Sequence, residues 1–420
     1  MTNAPPLPSY APCQVPGRVF IVNRYFYPDE SATSQIATDL AQHLTGQRVC
    51  VIGVASRSVF DDPAAVLLAN EIVGRLHIHR LATTRFGRAS LPGRVIDYLS
   101  FYISALVFLI HRLRRGDIII CKTDPPMLSV IGAVAARLRG ARLVNWLQDV
   151  YPEIAVRLQV ARLPKIVVVA LRAIRNRSLS TAAANVVIGE RMRDHLLAEG
   201  IPYEKIHVIP NWSREVVRRQ ANVGQTMRHR WGYSTSDLVI GYSGNLGRGH
   251  DYQIVIDAAV TLSAHPRIRF LLVGGGAAMT ECRKQVQRLG LSNVQFQPYQ
   301  HVDQLAETLS VPDIHWVTLK PELEGLLLPS KLYGIAAVGR PFIFIGAANS
   351  EHAALARECK AGFAIAPDDT VGLVALLKMI DGDRALLRTM GANARRIPDS
   401  FSSSVALARW TDLLANVARP

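Results

Sequence analysis

Cysteine is scarce in this chain of 420 residues, and its placement excludes the usual uses. The five are Cys13, Cys50, Cys121, Cys282 and Cys359, an odd number spread too widely for a disulfide framework or a zinc spacing. That pattern fits a reducing cytoplasm. Long apolar runs are missing as well: Val95 to Ile110 is too short and too interrupted for a confident membrane span. The opening MTNAPPLPSYAPCQVP lacks the basic start and apolar middle of a signal peptide, so residues 1–16 read as a flexible Pro-rich tail. No G-x-G-x-x-G follows the first predicted strand and no acidic residue ends the second, which argues against a nicotinamide oxidoreductase.

Acid is also in short supply. Asp and Glu number 33 against 48 Lys and Arg, a net charge of +15 that implies an anionic partner. Nucleic acid is disfavoured, because the chain has no recognisable nucleic-acid module and no aromatics interleaved with arginines. The basic residues gather instead beside apolar helices, in LPGRVIDYLSFYISALVFLIHRLRR (91–115) and RLPKIVVVALRAIRNR (162–177). Flanked by Arg85, Arg88, Arg94, Arg112, Arg114 and Arg115, the segment Val95–Ile110 suits a helix lying in an anionic membrane surface. It equally suits a buried crossover helix with a solvated basic end, and periodicity does not separate the two.

What the chain does have is alternation. RVFIVN (18–23), RVCVIGV (48–54), DIIICK (117–122), ARLVNWL (141–147), NVVIG (185–189) and KIHVIPN (205–211) read as strands between helical patterns. The rhythm restarts with DLVIGYSG (237–244), RIRFLLVGGG (267–276), NVQFQP (293–298), DIHWVTL (313–319) and RPFIFIG (340–346). Strands apolar on both faces and alternating with helices predict parallel sheets wrapped by helices. The expected fold is α/β, with two Rossmann-like halves at 17–211 and 212–398. A last helix in 399–420 packs back on the first half. Ligands belong at the carboxyl ends of such strands, so the cleft between the halves is the expected site.

Three stretches there carry chemistry. GYSGNLGRGHD (241–251) joins a strand to a helix through Gly244, Gly247 and Gly249, with Arg248 and His250 in the loop. Its glycines admit a ligand to the backbone, and a helix N-terminus follows. VGGGAA (273–278) makes a second strand-end loop, a phosphate or sugar contact or simply a tight turn. In GLLLPSKLYGIAAVGRP (325–341), Ser330 is placed to cap a helix that begins at Lys331. A cation in a first helical turn opposes the helix dipole, and a diphosphate over the helix end would remove that penalty. Glu322 and Glu324 just before it offer sugar-hydroxyl acceptors or plain loop surface.

In the first half, WLQDVYPE (146–153) stands at a strand end, so Gln148, Asp149 and Glu153 are expected to face the cleft. The loop YFYPDESATSQ (25–35) offers Asp29, Thr33 and Ser34 to a substrate lying across it.

Together these residues resemble the family-four retaining glycosyltransferases of the GT-B fold. The likeness spans nearly the whole chain, through NRYFYPDESATSQIATDLAQHL, KTDPPML with LQDVYPE, VIPNW, YSGNLGRGHD, FLLVGGG and PSKLYGIAAVGRP in that order. It is nearest to a bacterial surface-polysaccharide branch whose members resemble fucosaminyl- and fucosyltransferases. The resemblance implies a nucleotide-sugar donor, UDP-linked by preference, on the second half and a lipid-linked, polyprenyl diphosphate sugar acceptor on the first. Arg248 and Lys331 would neutralise the leaving diphosphate without a metal or other cofactor, and Asp149 would hold the acceptor-side polar position. Gly244, Asn245, Gly247, Gly274, Gly275, Gly276, Tyr299, Glu324, Pro329 and Ser330 would surround the donor. The enzyme would sit on the cytoplasmic face of the membrane. One departure stands out: the family's paired glutamates fall on Leu326 and Gly334. A sugar-nucleotide epimerase of the same fold is the nearest rival, and a non-catalytic anion- or lipid-binding relative is another.

Overall fold

The computed structural model describes residues 17–60, 62, 65–87, 90–160, 163–212, 224–397 and 401–419. The Pro-rich tail, Arg88 and most of the polar stretch between the two halves lie outside them.

The first half forms an eight-stranded sheet in the order β3-β4-β2-β1-β5-β6-β7-β8. Its strands are β1 (Arg18–Val22), β2 (Cys50–Ser56), β3 (Asn70–Val73), β4 (Leu76–Leu81), β5 (Ile118–Lys122), β6 (Arg142–Leu147), β7 (Ala184–Val187) and β8 (Ile206–Val208). All neighbours are parallel except the β3–β4 hairpin. The second half is a parallel six-stranded sheet in the order β11-β10-β9-β12-β13-β14. It comprises β9 (Leu238–Asn245), β10 (Ile268–Gly275), β11 (Val294–Gln297), β12 (Ile314–Thr318), β13 (Phe342–Ile345) and β14 (Gly362–Ile365). The central strands are buried because helices cover both faces, as in β12 and β13, buried at every position.

This is a GT-B architecture. In each sheet the chain builds outward in both directions from a central strand, so the order switches between β1 and β5 and between β9 and β12. A crevice opens at the carboxyl ends of strands at such a switch. The halves are joined by one continuous core. Leu147, Val150 and Ile154 of the first pack with Leu326, Leu332 and Tyr333 of the second. The helix Ser403–Ala418 returns to the first sheet, where Trp410 lies on Trp146 with ring centroids 4.7 Å apart.

The apolar segment 95–110 is the middle of a longer helix, Leu91–Arg112. It crosses the first sheet and buries Gly93, Asp97, Phe101, Ala105 and Leu109, a stripe at four-residue spacing.

Candidate functional site

The site is built where β9 and β10 end. Their last residues pair Gly244 with Gly274 and Asn245 with Gly275, so the two glycine loops lie side by side. Gly244, Gly274 and Gly276 have φ of 120°, 123° and 116°. A Cβ on Gly274 would collide with the Gly244 carbonyl oxygen, and one on Gly276 with the Asn245 side chain. Leu246 N donates to the Gly275 carbonyl at 2.8 Å, and Ala278 N donates to the Leu246 carbonyl at 3.0 Å. The glycines are therefore required by the close approach of two backbones, and the result is a fixed, small-residue floor.

Lys331 rises against that floor. It opens the helix Lys331–Ala337, and its Cε stands where a Cβ on Gly244 would point, 2.8 Å away. The ammonium donates to the Tyr242 hydroxyl at 2.5 Å, to the Asn245 carbonyl at 2.9 Å and to His250 Nε2 at 3.2 Å. It also lies over the Tyr242 ring, 4.6 Å from the centroid. None of these partners carries a negative charge. Burial accordingly pulls the Lys331 ammonium down to about 7. Ser330 precedes the helix but makes no side-chain cap bond, contrary to the expectation, and lines the cleft instead.

A cleft of about 290 Å³ opens in front of Lys331. The second half contributes Ser243, Gly244, Val273, Tyr299, Gln300, Thr308, Ser330 and Gly334, the first half contributes Gln35, Ile36 and Asp39, and Trp212 stands at their junction. The Tyr299 ring covers Gly275, 3.1 Å from where a Cβ there would sit. Arg248 is exposed in the same loop as His250 and has no ion pair or hydrogen bond among the described residues. Asn245 and Gly247 share that loop, and Pro329 is buried, its carbonyl oxygen 2.9 Å from His352 Nε2.

Across the cleft, Asp149 forms a β-bridge to Leu327, and Val150 N donates to the Leu326 carbonyl at 2.8 Å. Contrary to the expectation, neither Gln148 nor Asp149 is among the cleft-lining residues, and Asp149 shares a small enclosed cavity with Lys122, Thr123, Asn145 and Tyr151. Burial and neighbouring Asp124 push its carboxyl up to about 6, with Lys122 opposing them. Gln148 accepts from Asn211 Nδ2 at 2.7 Å, and its own nitrogen lacks a partner among the described residues. Asp29 is committed to its own loop, accepting from Ser31 N at 2.8 Å and Phe60 N at 2.5 Å. Ser34 is fully buried and Thr33 half-buried at the start of the helix Ala32–Gly46, whose Gln35, Ile36 and Asp39 line the cleft in their place.

Two expected residues do other work. Glu153 accepts from both terminal nitrogens of Arg175 at 2.9 Å and pairs with Arg172. Burial alone would raise its carboxyl, but neighbouring His195, 3.9 Å away, and the hydrogen bonds and charge of Arg175 pull it down to about 2. Glu324 is pushed up to about 7 by burial and by Glu351, beside the start of the helix Glu190–Ala198 and not among the cleft-lining residues. Both lie in the right loops with side chains turned away. The sequence also missed Tyr242, Gln35 and Asp39, whose roles depend on which neighbours the fold supplies.

The departure at the glutamate pair now has a physical reading. Leu326 is 4% exposed in the core that joins the halves. Gly334 faces the cleft, with Leu309 Cδ1 at 3.3 Å as the single neighbour that a Cβ would meet.

Comparison with known proteins follows the same lines. Residues 31–212 match the family model described as a glycosyl transferase 4-like domain. The putative colanic acid biosynthesis glycosyl transferase WcaI of Escherichia coli K12 is 32% identical over 291 residues, covering 67% of this chain and 70% of its own. The probable glycosyltransferase WbjE of Pseudomonas aeruginosa is 25% identical over 282 residues, 65% of this chain and 68% of its own. The crystal structure of Anabaena HepE in complex with UDP superposes with a TM-score of 0.69 at 14% identity, over 95% of this chain and all of that one.

Proposed function

The chain belongs to the glycosyltransferases that carry this glycosyl transferase 4-like domain, and from that premise we propose that it transfers a sugar from a nucleoside-diphosphate donor in bacterial surface-polysaccharide synthesis. A UDP-sugar is the favoured donor. HepE, of the same fold, is a UDP complex, and the cleft beside the glycine floor is lined by groups suited to a nucleotide. Tyr299 offers a ring for the base, and the Gly274–Gly276 loop offers backbone N–H groups.

The observation that carries the reading is the Lys331 ammonium, held at the end of β9 by three neutral acceptors and facing the cleft. A diphosphate placed there supplies the counter-charge the site lacks. As the sugar–phosphate bond breaks, negative charge grows on the diphosphate, and a preformed cation stabilises that state more than the ground state. Arg248, exposed and unpaired among the described residues, supplies the second charge from the facing loop. The acceptor enters from the first half, where Gln35 and Asp39 are polar groups of the cleft wall and Asp149 lies behind it in the neighbouring small cavity. Transfer with retention follows if the acceptor hydroxyl attacks from the leaving-group side and its proton passes to a donor phosphate oxygen, so that no enzyme nucleophile takes part. A lipid-linked oligosaccharide is the acceptor class we favour, presented at the cytoplasmic membrane face.

The test is thermal stabilisation by UDP, GDP, ADP and CMP, which needs no acceptor. UDP is expected to raise the melting temperature, and Lys331→Ala to abolish the rise with the apo fold intact. Arg248→Ala should weaken it and cost a large part of kcat. Equal stabilisation of wild type and Lys331→Ala would remove the diphosphate assignment.

A further inference from the structure

The helix Leu91–Arg112 is apolar on the side that faces away from the sheet. Val95, Ile96, Leu99, Ile103 and Val107 are 45–64% exposed, while the opposite stripe is buried in the first-half core. A helix on a water-facing surface shows polar residues there. Between Arg94 and His111 the one charged residue is Asp97, fully buried and paired with Arg24 at 3.0 Å.

The pattern continues on the neighbours. The helix Leu128–Arg139 packs between Leu91–Arg112 and Lys165–Thr181, so the three cover one face of the sheet side by side. Leu138 on the middle helix is 62% exposed, and Ile166 and Val169 on the third are 79% and 62% exposed. Exposed apolar surface that runs over three adjacent helices marks an interaction surface.

The exposed charges on these three helices have one sign. Arg112, Arg137, Arg139, Lys165 and Arg177 are exposed at the ends and edges of these helices. Asp97 is the single acidic residue the three helices contain. A protein partner would need an acidic and apolar face to match, whereas a bilayer with anionic lipids offers both properties at any point.

We propose that this three-helix face seats the protein on an anionic membrane, with the apolar stripe in the headgroup–acyl boundary and the arginines on lipid phosphates. The helix Leu91–Arg112 lies in the surface and does not span it, because Phe101, Ala105 and Leu109 anchor it to the sheet along its length. The orientation that results serves the cleft. Asp97 is tied to Arg24 just beyond β1, and the Tyr102 hydroxyl donates to the Pro126 carbonyl just beyond β5. The amino-terminal half of the helix therefore stands at the carboxyl ends of these strands, on the cleft side. A lipid-linked acceptor reaches the cleft mouth without leaving the bilayer. This purpose rests on the transferase reading, but the binding itself does not.

The experiment is co-sedimentation of the whole protein with vesicles of phosphatidylcholine alone or mixed with phosphatidylglycerol, at low and high salt. Binding is expected to the mixed vesicles at low salt, to fall at high salt, and to be weak on neutral vesicles. The double variant Ile103→Glu, Ile166→Glu changes two outward side chains and should weaken binding about tenfold or more. Its melting temperature and its UDP-induced shift serve as controls for fold and donor site. No binding to mixed vesicles at low salt overturns the proposal, as does a concentration-dependent dimer that the same variant dissolves. Vesicle binding without any nucleotide-induced shift would leave the surface standing and remove the donor reading instead.

Discussion

Lys331 Nζ lies 3.2 Å from His250 Nε2, and His250 Nδ1 lies 2.7 Å from the Thr318 carbonyl oxygen. A carbonyl only accepts, so Nδ1 carries the hydrogen and Nε2 presents a lone pair to the ammonium. Burial and the Lys331 charge hold the imidazole down at about 3, so it stays neutral at working pH. Histidine here is a neutral bracket for a cation, a role its place in a glycine loop did not announce.

The pairing fixes a pH dependence. With Lys331 at about 7 in the free protein, its side chain is cationic below that pH and neutral above it. A diphosphate favours the cation, so its binding takes up a proton above pH 7. UDP affinity should fall by up to about tenfold per pH unit on the alkaline side, whereas protonation of the terminal phosphate of UDP itself governs the acid side. Calorimetry at alkaline pH in buffers of different ionisation heat reads the proton uptake directly. Lys331→Ala should erase both the slope and the uptake, and a flat wild-type profile would separate Lys331 from the phosphate.

The glycine floor makes a contrast between neighbours. Gly274→Ala must hold φ near 123° and put a methyl group into the Gly244 carbonyl, a loss of about 2–3 kcal/mol in urea unfolding. UDP binding should fall with it, because the two loops can no longer lie together. Gly247→Ala meets nothing nearer than Asn245 Nδ2 at 3.7 Å and should stay within about 0.5 kcal/mol. Equal costs at the two positions would mean that the close approach of β9 and β10 does not set the requirement.

The alternation of apolar runs and helical patterns made both sheets legible, and the glycines and Lys331 marked the cleft. Period and composition do not say which way a loop side chain turns. Glu153 follows a strand just as Asp149 does, yet Arg175 on the helix Lys165–Thr181 claims its carboxylate, and that helix comes from a later, unrelated stretch. The hairpin β3–β4 was missed for a related reason, since ANEIVGRLHIHRL mixes charges into an exposed edge and reads as no clear strand. Strand β2 runs Cys50–Ser56, two residues later than its apolar run suggested.

The Glu153 network predicts its own behaviour. Arg175 has 4% side-chain exposure and neutralises both Glu153 and Glu199. Arg175→Met leaves Glu153 and Glu199 with the more exposed Arg172 as their remaining arginine and should cost about 3 kcal/mol. Glu153 sits at about 2 when folded, below its unfolded value, so its contribution is present at neutral pH and fades as pH falls towards 2. The variant should lose part of the wild-type decline in stability on acidification, measured by urea midpoints across acid pH. UDP binding should be unchanged, which would distinguish a bracket from a cleft residue.

Leu326 gives the sharpest test of the altered glutamate pair. Its side chain is in the core shared by the two halves, and its carbonyl takes the Val150 N–H at 2.8 Å. If the position served the donor, Leu326→Glu would restore half of the pair and tighten UDP. The packing argues the reverse. A carboxylate there has no cationic partner among its core neighbours Leu147, Val150 and Leu332, so the substitution should cost about 3 kcal/mol or more. Because that core holds both halves, the loss should appear as one cooperative urea transition at lower denaturant, with UDP affinity no better than wild type. A stable Leu326→Glu protein with tighter UDP binding would mean that this side chain turns to the cleft when donor is bound, and that the halves meet differently in the working enzyme.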